Sequence, residues 1–364
     1  MGRLTSNIDW LTTILLLCIG CFGLFILLTI QVSFFASHLF FLFLGAVLMV
    51  ACSRFDGVVV RWFAPIGYIL SCILIILTHF SPIVRGASRW ISIGGTQILQ
   101  PSELSKPLFL LAFAWLIEKF PPRQIRFLPL HVLFFLVPFL LVYTQPDLGT
   151  SIVYVLMWFA MMIAGGLSLF FVALFGLGAF FLIPIVFSLL KDYQRTRIFT
   201  FLDPALDPKG AGYNAIQAMI AVGSGQFFGR GLGRGTQSHL RFLPEFHTDF
   251  IFATLVEEFG FFGGFLLLVS YAVLFVRIII VTFSDASHSL FVFAYSFGLF
   301  SMLLVQVFIN VGMNMGLVPI TGITLPLVSY GGSSVLSICM GFGFLWALLK
   351  DKTSRHEVPG IASG

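Results

Sequence analysis

Asp249 ends the run Phe242-Leu243-Pro244-Glu245-Phe246-His247-Thr248-Asp249, directly before a long apolar stretch that carries Glu257-Glu258 inside it. On a continuous helix Asp249 and Glu257 are about 12 Å apart along the axis and about 80° apart around it, so both carboxylates can line one cavity. A carboxylate at hydrocarbon depth is normally paired or functional. Cations cluster in the segments nearest by polarity: Arg85 and Arg89 in Arg85-Gly86-Ala87-Ser88-Arg89-Trp90-Ile91, Lys106 one turn after Glu103 in Gln100-Pro101-Ser102-Glu103-Leu104-Ser105-Lys106, and Arg195 and Arg197 in Asp192-Tyr193-Gln194-Arg195-Thr196-Arg197. An acid at the mouth of a membrane cavity, facing such cations, is what a general base working on an anionic lipid-linked substrate requires. The candidate site is therefore Asp249 as base, with Arg85, Arg89, Glu103, Lys106, Arg195, Arg197, Glu245, His247 and Glu257 around the substrate.

Each of these residues also has a plainer reading. Thr248 and Asp249 suit a helix N-cap, Glu103 and Lys106 an i, i+3 ion pair, and the basic residues after 190 the dipole at a helix C-terminus. Asp147, behind Pro146, reads as a cap rather than a catalyst. The run Gly229-Arg230-Gly231-Leu232-Gly233-Arg234-Gly235 fits neither the dinucleotide fingerprint nor the P-loop spacing, although alternating glycines can turn successive N–H groups toward an anion. Cys18 and Cys21 form a C-x-x-C without a second pair or a nearby His, which reads as packing, and no metal-ligand set is expected.

The elements that must position these groups are membrane helices. Of 364 residues, 59% are hydrophobic and 10% charged, against roughly 25% charged in a soluble domain. With 20 basic and 15 acidic residues the net charge is +5, without a basic stripe, which excludes a nucleic-acid binder as well as a disordered chain. A crossing takes about 20 apolar residues. That ruler predicts an all-α polytopic membrane protein, one integral-membrane domain over 1–364, with about ten spans near 11–31, 36–53, 58–79, 104–118, 129–145, 148–164, 168–190, 250–281, 288–311 and 328–349. Arg54, Arg61, Lys119, Arg123, Arg126 and Arg277 fall on one side, so both termini are read as cytoplasmic, in the bacterial inner membrane. The polar segments of about 80–103 and 191–249, the latter between helices 7 and 8, then face outward together. Pro and Gly density predicts that part of 312–330 dips into the membrane from outside.

Arg85 to Ile91, Gln100-Pro101-Ser102-Glu103, Gln145-Pro146-Asp147-Leu148-Gly149-Thr150, Pro244 to Phe250 and Pro326-Leu327-Val328-Ser329-Tyr330-Gly331-Gly332-Ser333-Ser334 resemble, in order, the signature segments of the SEDS (shape, elongation, division and sporulation) family. Asp192-Tyr193-Gln194-Arg195 and Gly235-Thr236-Gln237-Ser238 look closer to its RodA elongation branch than to its FtsW division branch. The resemblance implies a peptidoglycan glycosyltransferase that joins lipid II units into glycan strands at the outer face of the membrane. Asp249 then matches the family's essential acid, and undecaprenyl pyrophosphate is the leaving group. No cofactor is certain from the sequence; a divalent cation, Mg or Mn, would suit the pyrophosphate, since hard cations favour carboxylate and phosphate oxygens. The implied partners are a class B penicillin-binding protein and other elongation-complex proteins. The rival function is a transporter that flips a lipid-linked precursor. The concentration of polar residues on one side argues against it, since alternating access asks for matched breaks in two halves. A scaffold without activity leaves Glu257, Glu258 and the Asp249 cluster unexplained.

Overall fold

The protein is described by a computed structural model covering residues 9–81, 89–93, 96–145, 147–190, 192–207, 210–285 and 289–350. With no water in hydrocarbon to satisfy the backbone, the apolar runs become helices. They are α1 (Trp10–Ile30), α2 (Val32–Ser53), α3 (Gly57–Thr78), α4 (Pro101–Lys119), α5 (Leu128–Thr144), α6 (Leu148–Ala164) and α7 (Leu169–Leu189), followed after the outer segment by α11 (Ile251–Asp285), α12 (Leu290–Asn314) and α13 (Gly332–Lys350). These ten correspond to the ten expected spans. Among the described residues seven of them are long and apolar enough to cross a membrane by length and composition alone. Of the others, α4 carries Glu103, Lys106, Glu118 and Lys119, while α6 is only 17 residues long. The chain is an all-α polytopic membrane protein, as its sequence predicts.

The interior is built on α4, α12 and α13, which are buried along most of their length, whereas α7 presents Leu169, Phe170, Phe180 and Phe181 outward. Helix α13 packs on α2, α3 on α4, and α12 on both α6 and α4. Small residues permit the closest approach: a Cβ on Gly343 would stand 2.6 Å from the Met49 carbonyl oxygen of α2. Ion pairs fasten one end of the bundle, Arg61 to Glu118 at 2.9 Å and Arg277 to Asp9 at 2.7 Å.

At the other end the long outer segments are folded. An antiparallel hairpin, β1 (Ile91–Ile93) and β2 (Thr96–Leu99), leads into α4, which Pro101 starts at a position where its missing N–H costs nothing. The segment after α7 contains α8 (Asp192–Leu202), a 3-10 turn at Pro204–Leu206, α9 (Ala211–Ser224) and α10 (Thr236–His239). Between α12 and α13 the chain dips inward as expected: Leu325 and Val328 are fully buried, Tyr271 Oη donates to the Pro326 carbonyl at 2.5 Å, and His38 Nε2 donates to the Leu327 carbonyl at 3.1 Å.

One departure from the expected spans is large. Helix α11 is broken at Gly260, whose φ of 71° and ψ of −169° belong to glycine alone. A break frees carbonyls before it and N–H groups after it, and the upstream segment 226–231 satisfies both. Arg230 and Gly231 donate to the Glu257 and Glu258 carbonyls at 2.9 and 3.1 Å, and Phe261 and Phe262 donate to the Gln226 and Phe227 carbonyls at 2.8 and 3.1 Å. A Cβ on Gly260 would meet backbone atoms of Gly229 and Phe227. Gly260→Ala is therefore expected to cost about 2–4 kcal/mol, through strain and lost strap bonds, and to appear as a clear fall in Tm of the purified protein.

Candidate active site

Asp249 stands in the turn immediately before α11, half-buried. The Glu245 carboxylate, Thr248 and the guanidinium groups of Arg197 and Arg89 all act on its side chain. Burial, reinforced by the negative charge of Glu245, pushes the Asp249 carboxyl up to about 6, and Arg197, Thr248 and Arg89 hold it from rising further. Arg197, from α8, also donates to the Ile320 carbonyl at 3.2 Å, which binds the outer segment to the re-entrant one. Arg89 lies 3.8 Å from Asp147 and so sits under the influence of two acids.

Asp147 does more than the cap read from its sequence position. It accepts from the Thr150 N–H at 3.1 Å as the N-cap of α6, and it also takes Gln100 Nε2 at 3.1 Å beside its pairing with Arg89. Beneath it, Glu103 and Lys106 form a buried ion pair at 2.5 Å, Lys106 being only 1% exposed. The surrounding main chain is tied to α13 and α6: Ser337 donates to the Glu103 carbonyl at 2.7 Å, Gln100 N–H donates to Ser333 at 2.8 Å, and Tyr154 Oη donates to the Ser102 carbonyl at 2.9 Å.

Several expected site residues are placed differently. Glu257, expected to share a cavity with Asp249, gives its carboxylate to the start of α10 instead: the Gln237 and Ser238 N–H groups donate to it at 2.9 and 3.4 Å, and Ser238 Oγ at 3.2 Å. Its neighbour Glu258 takes His239 Nε2 at 2.8 Å, Thr29 Oγ1 at 3.1 Å and the Gly233 N–H at 3.2 Å. Both acids are thus consumed in seating the glycine-rich strap against the helix break. Arg195 covers the last carbonyls of α7, Phe187 at 3.2 Å and Ser188 at 2.5 Å, as a cation at a helix C-terminus does. His247 stacks face to face on Phe34 at 4.4 Å, and its carbonyl accepts from the Tyr330 N–H at 2.9 Å, so it joins the re-entrant segment to α2. Glu245 adopts a φ of 52° and its carbonyl accepts from the Thr248 and Phe250 N–H groups, which curls the turn that presents Asp249. Arg85 lies outside the described residues.

The Asp249 environment is therefore assembled from Arg89, Arg197 of α8, α12, the turn at 244–250 and the re-entrant segment, with Asp147 at the start of α6 tied in through Arg89 and Gln100 tied in through Asp147. Among the described residues no group of three or more His, Cys, Asp or Glu is arranged to hold a metal ion, and Cys18 and Cys21 are free thiols exposed on the surface of α1. Residues that sequence reasoning passed over are Gln100, as a ligand of Asp147, and Asn310 and Asn314, which touch Asp249 from α12.

Residues 8–354 match the FtsW/RodA/SpoVE family, described as cell cycle proteins. The chain belongs to this family. Within it, the chain is 41% identical over 310 residues to the peptidoglycan glycosyltransferase MrdB of Escherichia coli K12, covering 84% of this chain and 82% of that protein. It is 36% identical over 331 residues to a probable peptidoglycan glycosyltransferase FtsW of Aromatoleum aromaticum, covering 85% and 78%. Among solved structures, a chain of a peptidoglycan synthase complex that coordinates polymerization and crosslinking superposes with a TM-score of 0.79 at 30% identity, covering 94% of this chain and 98% of that one. The rod shape determining protein RodA of Thermus thermophilus superposes with a TM-score of 0.71 at 27% identity, covering 96% and 98%. Among the described residues, parts of the signature segments quoted from the sequence are linked here: Arg89 and Gln100 meet Asp147, Arg89 acts on Asp249, and Ser329 and Tyr330 donate to the Thr248 and His247 carbonyls.

Proposed function

We propose that Asp249 is the general base of a peptidoglycan glycosyltransferase that polymerises lipid II. The glycosyltransferase activity follows from membership of the family and from the relatives named for it. The observation that supports the assignment of the base is a half-buried carboxylate, raised to about 6 and facing two arginines, at the outer end of the bundle. A base poised near the working pH balances correct protonation against driving force. In this reading Asp249 takes the proton of the acceptor sugar's 4-hydroxyl as that oxygen bonds to the donor's anomeric carbon with inversion. The bond from that carbon to the pyrophosphate oxygen breaks, and undecaprenyl pyrophosphate leaves. Arg89 and Arg197 stabilise the charge that develops on it, as cation clamps do elsewhere. A leaving group already activated as a pyrophosphate removes the need for a second carboxylic acid. A divalent cation is proposed only as a companion of the substrate, held by pyrophosphate oxygens and water, which is how Mg²⁺ commonly enters phosphate sites.

The partner we propose is a class B penicillin-binding protein, since a relative of this chain works within a peptidoglycan synthase complex for polymerization and crosslinking. The test is polymerisation of purified lipid II by the detergent-solubilised protein with that partner, beside Asp249→Asn. Glycan strands from the wild type and none from the folded variant support both the activity and the base. Strands from both would return Asp249 to a capping role. Movement of lipid II across liposomes without strands would bring back the transporter.

A further inference from the structure

We propose that Asn314, with Asn310 behind it, is a positioning residue that fixes Asp249 by standing in for a peptide group in the first turn of α11; this rests on the reading of Asp249 as the base. One more turn of α11 would bond the Ala253 N–H to the Asp249 carbonyl. Instead the Ala253 N–H donates to Asn314 Oδ1 at 3.1 Å, and Asn314 Nδ2 donates to the Asp249 carbonyl at 3.0 Å. The next bond along, Thr254 N–H to the Phe250 carbonyl at 3.1 Å, is an ordinary helical one, so the insertion falls on Asp249 alone. An N–H can only donate and a carbonyl can only accept, so the two ends of the gap dictate which way the amide points.

Asn310 completes the clamp. Its Nδ2 donates to the same Asp249 carbonyl at 2.9 Å and to the Ile323 carbonyl at 2.7 Å. Two amide donors thus occupy the Asp249 oxygen, and both side chains are fully buried. Four residues apart, the two asparagines stand one above the other on one face of α12, and Asn314 Nδ2 also reaches the Asn310 carbonyl at 2.8 Å. The re-entrant segment is held at the same point. There Gly322 has a φ of 79°, and a Cβ on it would lie 3.4 Å from Asp249 Oδ2. The turn before α11, the first turn of α11 and the re-entrant segment are therefore all joined through the two asparagine amides of α12. The Asp249 side chain leaves the helix start at an angle that the asparagines set rather than along the path of α11. Displacing a reacting group by about 1 Å costs on the order of 100-fold.

The test measures kcat and KM for lipid II, and the pH dependence of kcat, in Asn314→Ala and Asn310→Ala of the full chain with its partner. Asn314→Ala is expected to lower kcat about 100-fold with KM changed less than about threefold. The acidic limb of its profile should move to lower pH, because Asp249 released from its place among Glu245, Arg197, Arg89 and Thr248 gains water. Asn310→Ala should act in the same direction and less strongly, Asn314 still holding the carbonyl. Wild-type kcat and an unmoved limb in both folded variants would overturn the proposal, as would a lower Tm or less active protein with the limb in place. If Asn314→Ala does not fold, Asn310→Ala decides. A wild type that makes no strands overturns the assignment of the base itself instead.

Discussion

Asp249→Asn is expected to lower lipid II polymerisation by about a hundredfold to ten-thousandfold while raising the thermal stability of the protein at neutral pH. The two effects have one origin. Burial, with Glu245 close by, places the Asp249 carboxyl at about 6, above its ordinary 3.8. An acid whose pKa is higher in the folded state binds its proton more tightly there, so the folded state loses stability as pH rises from about 4 to about 6, and the loss is complete above 6. Two pKa units correspond to about 3 kcal/mol, and the partial exposure of the group reduces this to about 2 kcal/mol or less. The asparagine is never charged and so avoids that cost. Its Tm should exceed that of the wild type by a few degrees at pH 7–8, with the gap closing toward pH 4. The wild-type rate should rise through a midpoint near pH 6 as the base loses its proton. Equal Tm values at both pH values would mean that the carboxylate is not held in a costly environment, and a rate unaffected between pH 5 and 7 would remove it from proton transfer.

This coupling explains why the acid was legible in the sequence while its surroundings were legible only in part. A carboxylate between Pro244 and a long apolar run has few neutral explanations, and hydropathy alone sufficed to place ten helices because lipid leaves the backbone few choices. The break at Gly260 left no such mark. A glycine within an apolar helix is ordinary in membranes, and the segment that mends the break lies some 30 residues upstream, beyond any local pattern. Glu257 lies on the regular turns before the break, and it serves α10 because the folded segment upstream brings the Gln237 and Ser238 N–H groups to its carboxylate. Arg195 illustrates the same limit from the other side: its charge was visible, but whether it faced a substrate or the end of α7 depended on the chain reversing at Leu190. The asparagines of α12 were hidden for a third reason. Their partners are backbone groups, which carry no sequence signature.

The Glu103–Lys106 pair is where the chemical and architectural readings diverge, and a double-mutant cycle separates them. With Lys106 1% exposed and Glu103 8% exposed, Lys106→Met leaves a buried carboxylate without its counter-charge, which is expected to cost about 3–5 kcal/mol and to lower both Tm and yield sharply. Glu103→Leu should fail comparably by stranding the ammonium. Replacing both residues with Leu and Met removes the desolvation penalty along with the attraction, and buried pairs exchanged in this way are often neutral or stabilising. The double variant is therefore expected to recover a Tm near that of the wild type. Because the pair is electrically neutral as a unit, its removal changes the field at Asp249 little. The Ser337 and Tyr154 bonds that hold this turn end on main-chain carbonyls, which the substitutions leave in place. Polymerisation by the double variant should then stay within about tenfold of the wild type. A double variant that is stable yet silent would instead mean that Lys106 leaves Glu103 to meet the pyrophosphate, the ion pair being only its resting position.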